Sequence, residues 1–278
     1  MKKLLVLLMI ASSCYLNAQD LLHPKAFLAE MEQIREQEMR SFRRMSPDDT
    51  KGAAAFTVAS NNFDIHYIRP NWYIDPSLYE ISGNVHFGYT VTQSTNTITF
   101  DLLNQLVVDS VVYRGSKINF QRTTDDGVIL NFPSTINAGT KDSVSIFYRG
   151  APGGGGFGTF FKGTHAGVPV IYTLSQPYGS KEWWPCKNNL TDKADSIDII
   201  VSCPQQYRSS SNGLIVSNTV TGPTRTTVFK HRFPIVPYLI AVAVTNYAES
   251  NDTVQVGNRV ITLQNFYYPE TGDYSGYL

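Results

Sequence analysis

Apolar and polar residues alternate in short runs over most of the chain, from Phe63 to Tyr247. The runs are rich in Val, Ile, Tyr, Phe and Thr, and turn segments such as "DPS", "DDG" and "NAG" separate them. A period of two is typical of strands with one buried face. The pattern predicts an all-β fold, an antiparallel twisted β-sandwich. In segment 81–87 it predicts two opposite faces, one with Ile81, Gly83, Val85 and Phe87 and the other with Ser82, Asn84 and His86.

The first residues have the pattern of an export signal. Lys2 and Lys3 precede an apolar run that is too short to span a bilayer, and Ala18 is a small residue at the expected cleavage position. We interpret residues 1–18 as a secretory signal peptide cut after Ala18, which predicts a secreted or periplasmic bacterial protein. A second interpretation of "ASSC" is a lipoprotein signal in which Cys14 is lipidated.

The next segment combines a helical period with a linker. Apolar residues recur at helical spacing in "HPKAFLAEMEQIREQEMRSFRRM", and Pro24 suits a first turn. We predict an amphipathic helix from about Pro24 to Arg44 that covers part of the core, because its polar face mixes acidic and basic residues. The turn-rich stretch "SPDDTKGAAAFTVASNN" predicts a linker. The predicted domains are a signal peptide (1–18), the helix and linker (19–60), the β-sandwich (61–248), and a terminal strand with the start of a connection (249–278).

Composition and charge limit the classes of partner. Lys and Arg total 23 and Asp and Glu total 23, so the net charge is zero. This balance argues against a nucleic-acid partner, which requires clustered positive charge. No apolar run after the signal peptide is long enough to span a bilayer. Once Cys14 is removed, Cys186 and Cys203 remain; export permits a disulfide between them, and two free buried thiols are an equally open alternative.

The residue types that carry chemistry show no catalytic or metal-binding spacing. The chain has no His-x-x-x-His, no Cys-x-x-Cys and no Gly-x-Ser-x-Gly. The glycine run 153–156 lacks the Lys-Ser/Thr of a phosphate-binding loop, so we interpret it as a mobile surface loop. We therefore expect no metal site, no cofactor and no catalytic residue in this chain. The five histidines are His23, His66, His86, His165 and His231.

Four segments carry a family resemblance in the same order along the chain. Thr173, Gln176, Pro185-Cys186 and Lys193-Ala194 keep the spacing of a Thr-x-x-Gln element that leads into Pro-Cys and then Lys-Ala. The other three are "FDIHYIRPNWYIDPSLYEISGNVHF", "SSSNGLIVSN" and "PYLIAVAVTNY". Together they resemble the N-terminal domain of the zinc aminopeptidases related to aminopeptidase N and leukotriene hydrolase. The resemblance runs from about Phe63 to the end, and it implies the saddle-like β-sandwich of that domain.

The chain departs from the family pattern near the resemblance's main motif. The family often has Phe-Asp-Glu-Pro after the cysteine, where this chain has Lys187-Asn188-Asn189-Leu190. It often has Ala after the glutamine, where this chain has Pro177. Both differences concern the residues next to Gln176 and Cys186.

The resemblance implies a substrate-binding role for one residue of this chain, and it implies that the zinc site lies in a different domain. Gln176 is expected to contribute to the pocket that holds the amino terminus of a peptide substrate, while Trp183 and Trp184 are expected to be core residues. The family's zinc-binding His-Glu-x-x-His motif lies in the next domain, and this chain ends near the point where that domain begins. The chain is thus expected to be a fragment or a natural truncation that lacks zinc and peptidase activity and works with a catalytic domain of the same protein.

Two alternatives from other classes stay open at this stage. The chain could be a free-standing secreted module that binds glycan or protein through exposed aromatic residues, or a structural surface domain. The reading frame after Leu278 separates the peptidase interpretation from both alternatives. A downstream His-Glu-x-x-His favours the peptidase.

Overall fold

Sixteen strands supply most of the regular structure in residues 57–153 and 159–272, the part of the chain that the computed structural model describes. The strands are β1 (Phe63–Tyr73), β2 (Ile81–Val91), β3 (Thr95–Asp101), β4 (Val107–Tyr113), β5 (Ser116–Arg122), β6 (Gly127–Ile136), β7 (Lys141–Gly150), β8 (Phe160–His165), β9 (Val168–Thr173), β10 (Ser196–Pro204), β11 (Arg208–Ser211), β12 (Leu214–Thr221), β13 (Thr224–His231), β14 (Val242–Thr245), β15 (Ala248–Val256) and β16 (Arg259–Tyr267). Short 3-10 turns lie at Gly179–Glu182, Pro237–Leu239 and Pro269–Thr271.

Several predictions about the N-terminal part concern residues outside the described ranges. They are the signal peptide 1–18, the lipidation of Cys14, the helix Pro24–Arg44, most of the linker, and the glycines after Gly153. Within residues 57–153 and 159–272, no helix is long and apolar enough to cross a membrane.

The strands form one large sheet and two smaller ones. The large sheet has ten strands in the order β12-β13-β10-β1-β2-β7-β4-β5-β6-β3, the second has β11-β14-β9-β8, and the third is the hairpin β15-β16. The prediction of an all-β sandwich is confirmed. One pair is parallel: β1 lies alongside β10 with Tyr67 opposite Ser196, whereas the other strand pairs are antiparallel.

Strand β2 shows how the alternation of the sequence becomes a buried and a less buried face. Its predicted faces are confirmed, because the side chains assigned to the inner face are buried except at the glycine and those assigned to the outer face are half-buried. The outer-face His86 has its Nδ1 atom 3.0 Å from Ser145 Oγ in β7. The period-two pattern therefore follows directly from which side chains reach the core.

The glycine in the segment Ser82-Gly83-Asn84-Val85 of β2 has a steric reason. Gly83 has a φ of 151°, and a β-carbon at this position would lie 2.0 Å from the carbonyl oxygen of Asn71 in β1. Only a residue without a side chain permits so close an approach between paired strands. The close packing of β2 against β1 therefore explains the glycine at position 83.

All three tryptophans of the chain lie together in the core. The ring centroids of Trp72 and Trp183 are 4.8 Å apart, and Trp184 lies 6.1 Å from Trp72 and 6.0 Å from Trp183. None of the three has exposed surface. The expectation that Trp183 and Trp184 are core residues is confirmed.

The structure also answers the question that the sequence left open about the cysteines. Cys186 and Cys203 are both buried, and both are free thiols. Cys203, near the end of β10, has its Sγ 3.6 Å from the carbonyl oxygen of Tyr207, four residues further along the chain.

Candidate functional site

The turn that carries Gln176 follows directly on β9. Thr173 ends β9, and its hydroxyl both accepts a hydrogen bond from the backbone N–H of Val242 at 3.0 Å and donates one to the Val242 carbonyl at 3.3 Å. Leu174 donates its N–H to the carbonyl of Thr159 at 3.0 Å. The threonine of the Thr-x-x-Gln element therefore ends a strand and fixes where the turn begins.

Gln176 lies on the surface of this turn. Its side chain is exposed, between the buried Ser175 and the half-buried Pro177, and the Gln176–Pro177 peptide bond is cis. Within residues 57–153 and 159–272, the Gln176 amide has no hydrogen-bond partner. The fold thus presents a polar amide to solvent with both its donor and its acceptor available.

Ser175 anchors the turn immediately before Gln176. Its hydroxyl accepts a hydrogen bond from the indole N–H of Trp183 at 2.8 Å, and its carbonyl accepts one from the N–H of Gly179 at 2.8 Å. The carbonyl of Trp183 in turn accepts a hydrogen bond from the hydroxyl of Tyr148 at 3.0 Å. The indole of Trp183 therefore links the exposed turn to the buried core.

Glu182 is a half-buried carboxylate beside this turn, and no sequence motif indicated it. It accepts a hydrogen bond from the Thr159 hydroxyl at 2.9 Å, and its backbone carbonyl accepts one from the N–H of Gly153 at 2.9 Å. Burial raises the pKa of Glu182 above its ordinary value, although the bond from Thr159 opposes the rise. These contacts join the short 3-10 turn Gly179–Glu182 to Thr159 and Gly153.

The Pro-Cys segment is attached to the end of β3. Asp101 and Cys186 exchange two backbone hydrogen bonds, of 2.8 and 3.0 Å. The Asp101 carboxylate is fully buried and accepts hydrogen bonds from the Thr57 hydroxyl at 2.6 Å and from the N–H groups of Val58 at 2.6 Å and Ala59 at 3.2 Å. One carboxylate thus joins the segment before β1 to the segment after the tryptophans.

Two of the residues that depart from the family pattern, Lys187 and Asn188, are buried and have hydrogen-bond partners. The ammonium of Lys187 forms an ion pair with Asp192, donates to the carbonyl of Phe63 at 2.6 Å, and lies 4.6 Å from the centre of the Phe63 ring. Lys187 is 5% exposed and the next residue, Asn188, is 2% exposed. Lys187 therefore occupies a core position through a counter-charge five residues away.

The described residues do not fit a zinc ion. Within residues 57–153 and 159–272, no group of three or more His, Cys, Asp or Glu side chains is placed to hold a metal. Tetrahedral zinc sites need three or four such ligands that converge on one point.

Comparisons with known proteins support the fold but give no close relative. No family model and no curated protein matches the chain. The M1 zinc metallopeptidase from Deinococcus radiodurans superposes with a TM-score of 0.68 at 20% identity, over 75% of this chain and 48% of that one. A mutant of that enzyme bound to a Tyr-Ser-Ala substrate gives 0.67 at 21% identity, with the same coverage. Native yeast LTA4 hydrolase gives 0.60 at 18% identity, over 75% of this chain and 32% of that one.

These likenesses concern one part of the larger proteins. The chain spans about half the length of the bacterial structures, 48%, and 32% of the yeast structure. The resemblance drawn from the sequence motifs is confirmed at the level of the fold, which is that of the N-terminal domain of the M1 zinc metallopeptidases.

Proposed function

We propose that this chain is the N-terminal β-domain of an exported zinc-dependent aminopeptidase, in which Gln176 helps to hold the free amino terminus of a peptide substrate. The observation that carries the proposal is the exposed amide of Gln176 on a turn fixed from behind by Ser175 and Trp183. The fold shared with M1 zinc metallopeptidases, one of them bound to a Tyr-Ser-Ala substrate, supports it.

The chemistry of an amide suits this role. A peptide amino terminus is an ammonium group with three donors and no acceptor, and the Gln176 side-chain oxygen is an acceptor at a fixed distance from the turn. A charge-assisted hydrogen bond of this kind is stronger than one between neutral groups. An acetylated amino terminus offers no such charge, so the contact favours substrates with a free amino group.

The catalytic zinc and its general base are assigned to a catalytic domain of the same protein. The residues described for this chain offer no set of ligands for the metal, so the chain alone is expected to bind no stoichiometric zinc and to hydrolyse no aminoacyl anilide. Elemental analysis and an anilide assay on the purified chain test this. One tightly held zinc per chain, or turnover by the chain alone, contradicts the assignment.

The second candidate is a free-standing module that binds glycan or protein through exposed aromatic residues. All three tryptophans of this chain are buried, whereas the rings of Tyr73 and Phe233 are exposed and are the ones such a module would use. The DNA that follows the codon for Leu278 separates the two functions. A His-Glu-x-x-His motif in the same frame supports the peptidase, and a stop codon in intact DNA supports the module.

The role of Gln176 is tested in the polypeptide that joins this domain to its catalytic domain. Gln176→Ala removes a charge-assisted hydrogen bond of about 1.5–3 kcal/mol, so kcat/KM for free-amino peptides should fall about tenfold to a hundredfold. Gln176→Glu faces the ammonium with a full negative charge and should retain or strengthen binding. Steady-state kinetics on matched free and acetylated peptides give both values.

The control for this experiment is stability. Gln176 is exposed and has no partner among the described residues, so Gln176→Ala should leave the unfolding midpoint nearly unchanged. On acetylated peptides the alanine variant should show no selective loss. Unchanged kcat/KM on free-amino peptides, or a loss of stability that matches the loss of activity, overturns the substrate role.

A further inference from the structure

The exposed turn that carries Gln176 is also held from its far side. The side-chain Nδ2 of Asn188 donates a hydrogen bond of 2.7 Å to the carbonyl oxygen of Tyr178, two residues after Gln176. On the near side, Gly179 N–H closes the turn onto the carbonyl of Ser175. The backbone around Gln176 is therefore fixed at one end by Ser175 and at the other by Asn188.

Asn188 is itself fixed to the large sheet. Its backbone N–H donates a 2.9 Å hydrogen bond to Asp101 Oδ2, and Asn188 is only 2% exposed. Asp101 is the last residue of β3 and is bonded through its backbone to Cys186. A connected set of hydrogen bonds thus runs from a buried carboxylate at the end of a strand, through Asn188, to the turn of Gln176.

We infer that Asn188 is a positioning residue that sets the place of the Gln176 amide, an inference that rests on the proposed function of Gln176. The donor is the essential feature, because the carbonyl of Tyr178 can only accept. An ionised aspartate, which the family pattern has at this position, is an acceptor only and could not make this bond. The departure from the family pattern therefore supplies the donor that this turn uses.

The first test needs no catalysis. Asn188→Asp replaces the donor with an isosteric acceptor next to the Tyr178 carbonyl, which should release the far side of the turn. Amide exchange followed by NMR should then show the protection of the Gly179 N–H falling about tenfold or more, while amides in β10 keep theirs. Should Asn188→Asp fail to fold, Asn188→Ala removes the donor without adding charge and is expected to give the same local loss.

The neighbouring residue provides a matched control. Asn189 uses its side-chain oxygen to accept hydrogen bonds from the N–H and hydroxyl of Thr191, both at 2.8 Å. Asn189→Asp adds the same charge one position away and keeps both acceptors, so Gly179 protection should not change. Equal protection of Gly179 in the wild-type, Asn188→Asp and Asn189→Asp proteins overturns the inference, whether or not Gln176 contacts a substrate.

The second test measures whether the effect passes through Gln176. In the polypeptide with its catalytic domain, Asn188→Asp should raise KM for free-amino peptides about threefold to thirtyfold with a smaller change in kcat. In a Gln176→Ala background the same substitution should have no further effect on KM. An unchanged KM, or an equal rise in both backgrounds, overturns the positioning role. If Gln176→Ala is itself without effect, the proposed function fails, and the exchange experiment still decides whether Asn188 holds the turn.

Discussion

The interior of the molecule contains a buried pair of opposite charges. Lys187 and Asp192 form an ion pair with side chains only 6% and 8% exposed. Taking two charges out of water costs free energy. Contacts of the Lys187 ammonium with the Phe63 carbonyl and ring help to offset this cost. Each partner therefore depends on the other far more than a surface pair would.

Removing one partner of this pair should be strongly destabilising. Asp192→Ala leaves the Lys187 ammonium buried without a counter-charge, and we expect a loss of about 3–5 kcal/mol in the free energy of unfolding. Urea unfolding followed by the fluorescence of the buried tryptophans measures it. The double variant Lys187→Met, Asp192→Leu should recover most of the loss, because apolar residues of similar size need no desolvation.

An exposed ion pair serves as the control for that measurement. Arg149 and Asp109 lie 3.0 Å apart with side chains 65% and 40% exposed. Asp109→Ala should cost no more than about 1 kcal/mol, since solvent screens the pair. If Asp192→Ala costs as little as Asp109→Ala, the buried pair does not hold the segment after Cys186.

Among the elements, the last 3-10 turn is attached to the second sheet through His165. His165 Nδ1 lies 2.6 Å from Glu270 Oε1, Nε2 lies 2.7 Å from the Thr245 hydroxyl, and the ring stacks on Tyr268 at 3.8 Å. The Thr245 hydroxyl also lies 2.8 Å from the carbonyl of Pro169 in β9. These contacts attach the turn to strands of the second sheet.

This contact predicts a dependence of stability on acid pH. Partial burial pushes the pKa of Glu270 upward, but its own backbone hydrogen bond and the bond and charge of His165 bring the pKa below its ordinary value. A carboxyl with a lowered pKa stabilises the fold above about pH 4.5 and loses that contribution as the pH falls through the lowered value. Glu270→Gln should remove this contribution, so that the free energy of unfolding falls less steeply toward acid pH. The difference should be less than about 1 kcal/mol, because the carboxylate is partly exposed.

Thermal melts between pH 3 and pH 6 check the contribution of Glu270. The exposed Glu80 offers a control, and Glu80→Gln should follow the wild-type pH profile. A Glu270→Gln profile that coincides with both shows that the carboxylate does not hold the turn.

The elements were largely predictable from the sequence, and their pairing was not. Alternation located β2 and identified its buried face, since burial is what selects apolar residues at every second position. Alternation is the same in parallel and antiparallel strands, so it could not indicate that β1 pairs with β10. The sequence also indicated a single strand near the end, where the structure has the hairpin β15–β16.

The candidate site was predictable only where a motif named a residue. Gln176 came from its spacing to Pro185, and the structure places it on an exposed turn. Asp101 gave no signal, because an acidic residue at the end of a strand usually faces solvent, and its partners at 57–59 are more than forty positions away in the chain. In the sequence, Asn188 stood out only as a departure from the family pattern. Its hydrogen bonds to Asp101 and Tyr178 are known only from the structure.

At the scale of the whole molecule, the two free thiols report on the integrity of the core. Burial raises the pKa of Cys203 to about 11 and that of Cys186 well above its ordinary value. The thiolate is the reactive species, so the folded protein should not react with a thiol reagent at pH 8. In denaturant without reductant, a chain that lacks residues 1–18 should titrate two thiols. Zero thiols would show a disulfide, and rapid reaction of the folded protein would show that this part of the core is open.

The parallel pairing of β1 with β10 has a consequence for how the chain is made. The two strands lie roughly 130 residues apart in the sequence, so one edge of β1 has no partner until β10 has left the ribosome. At about 5–20 residues per second, synthesis leaves that edge without its neighbour for on the order of ten seconds. The nascent chain carries β1 and β2 as an unfinished sheet during this interval. The junction of β1 with β10, between the third and fourth strands of the large sheet, is therefore one of the last parts of that sheet to form.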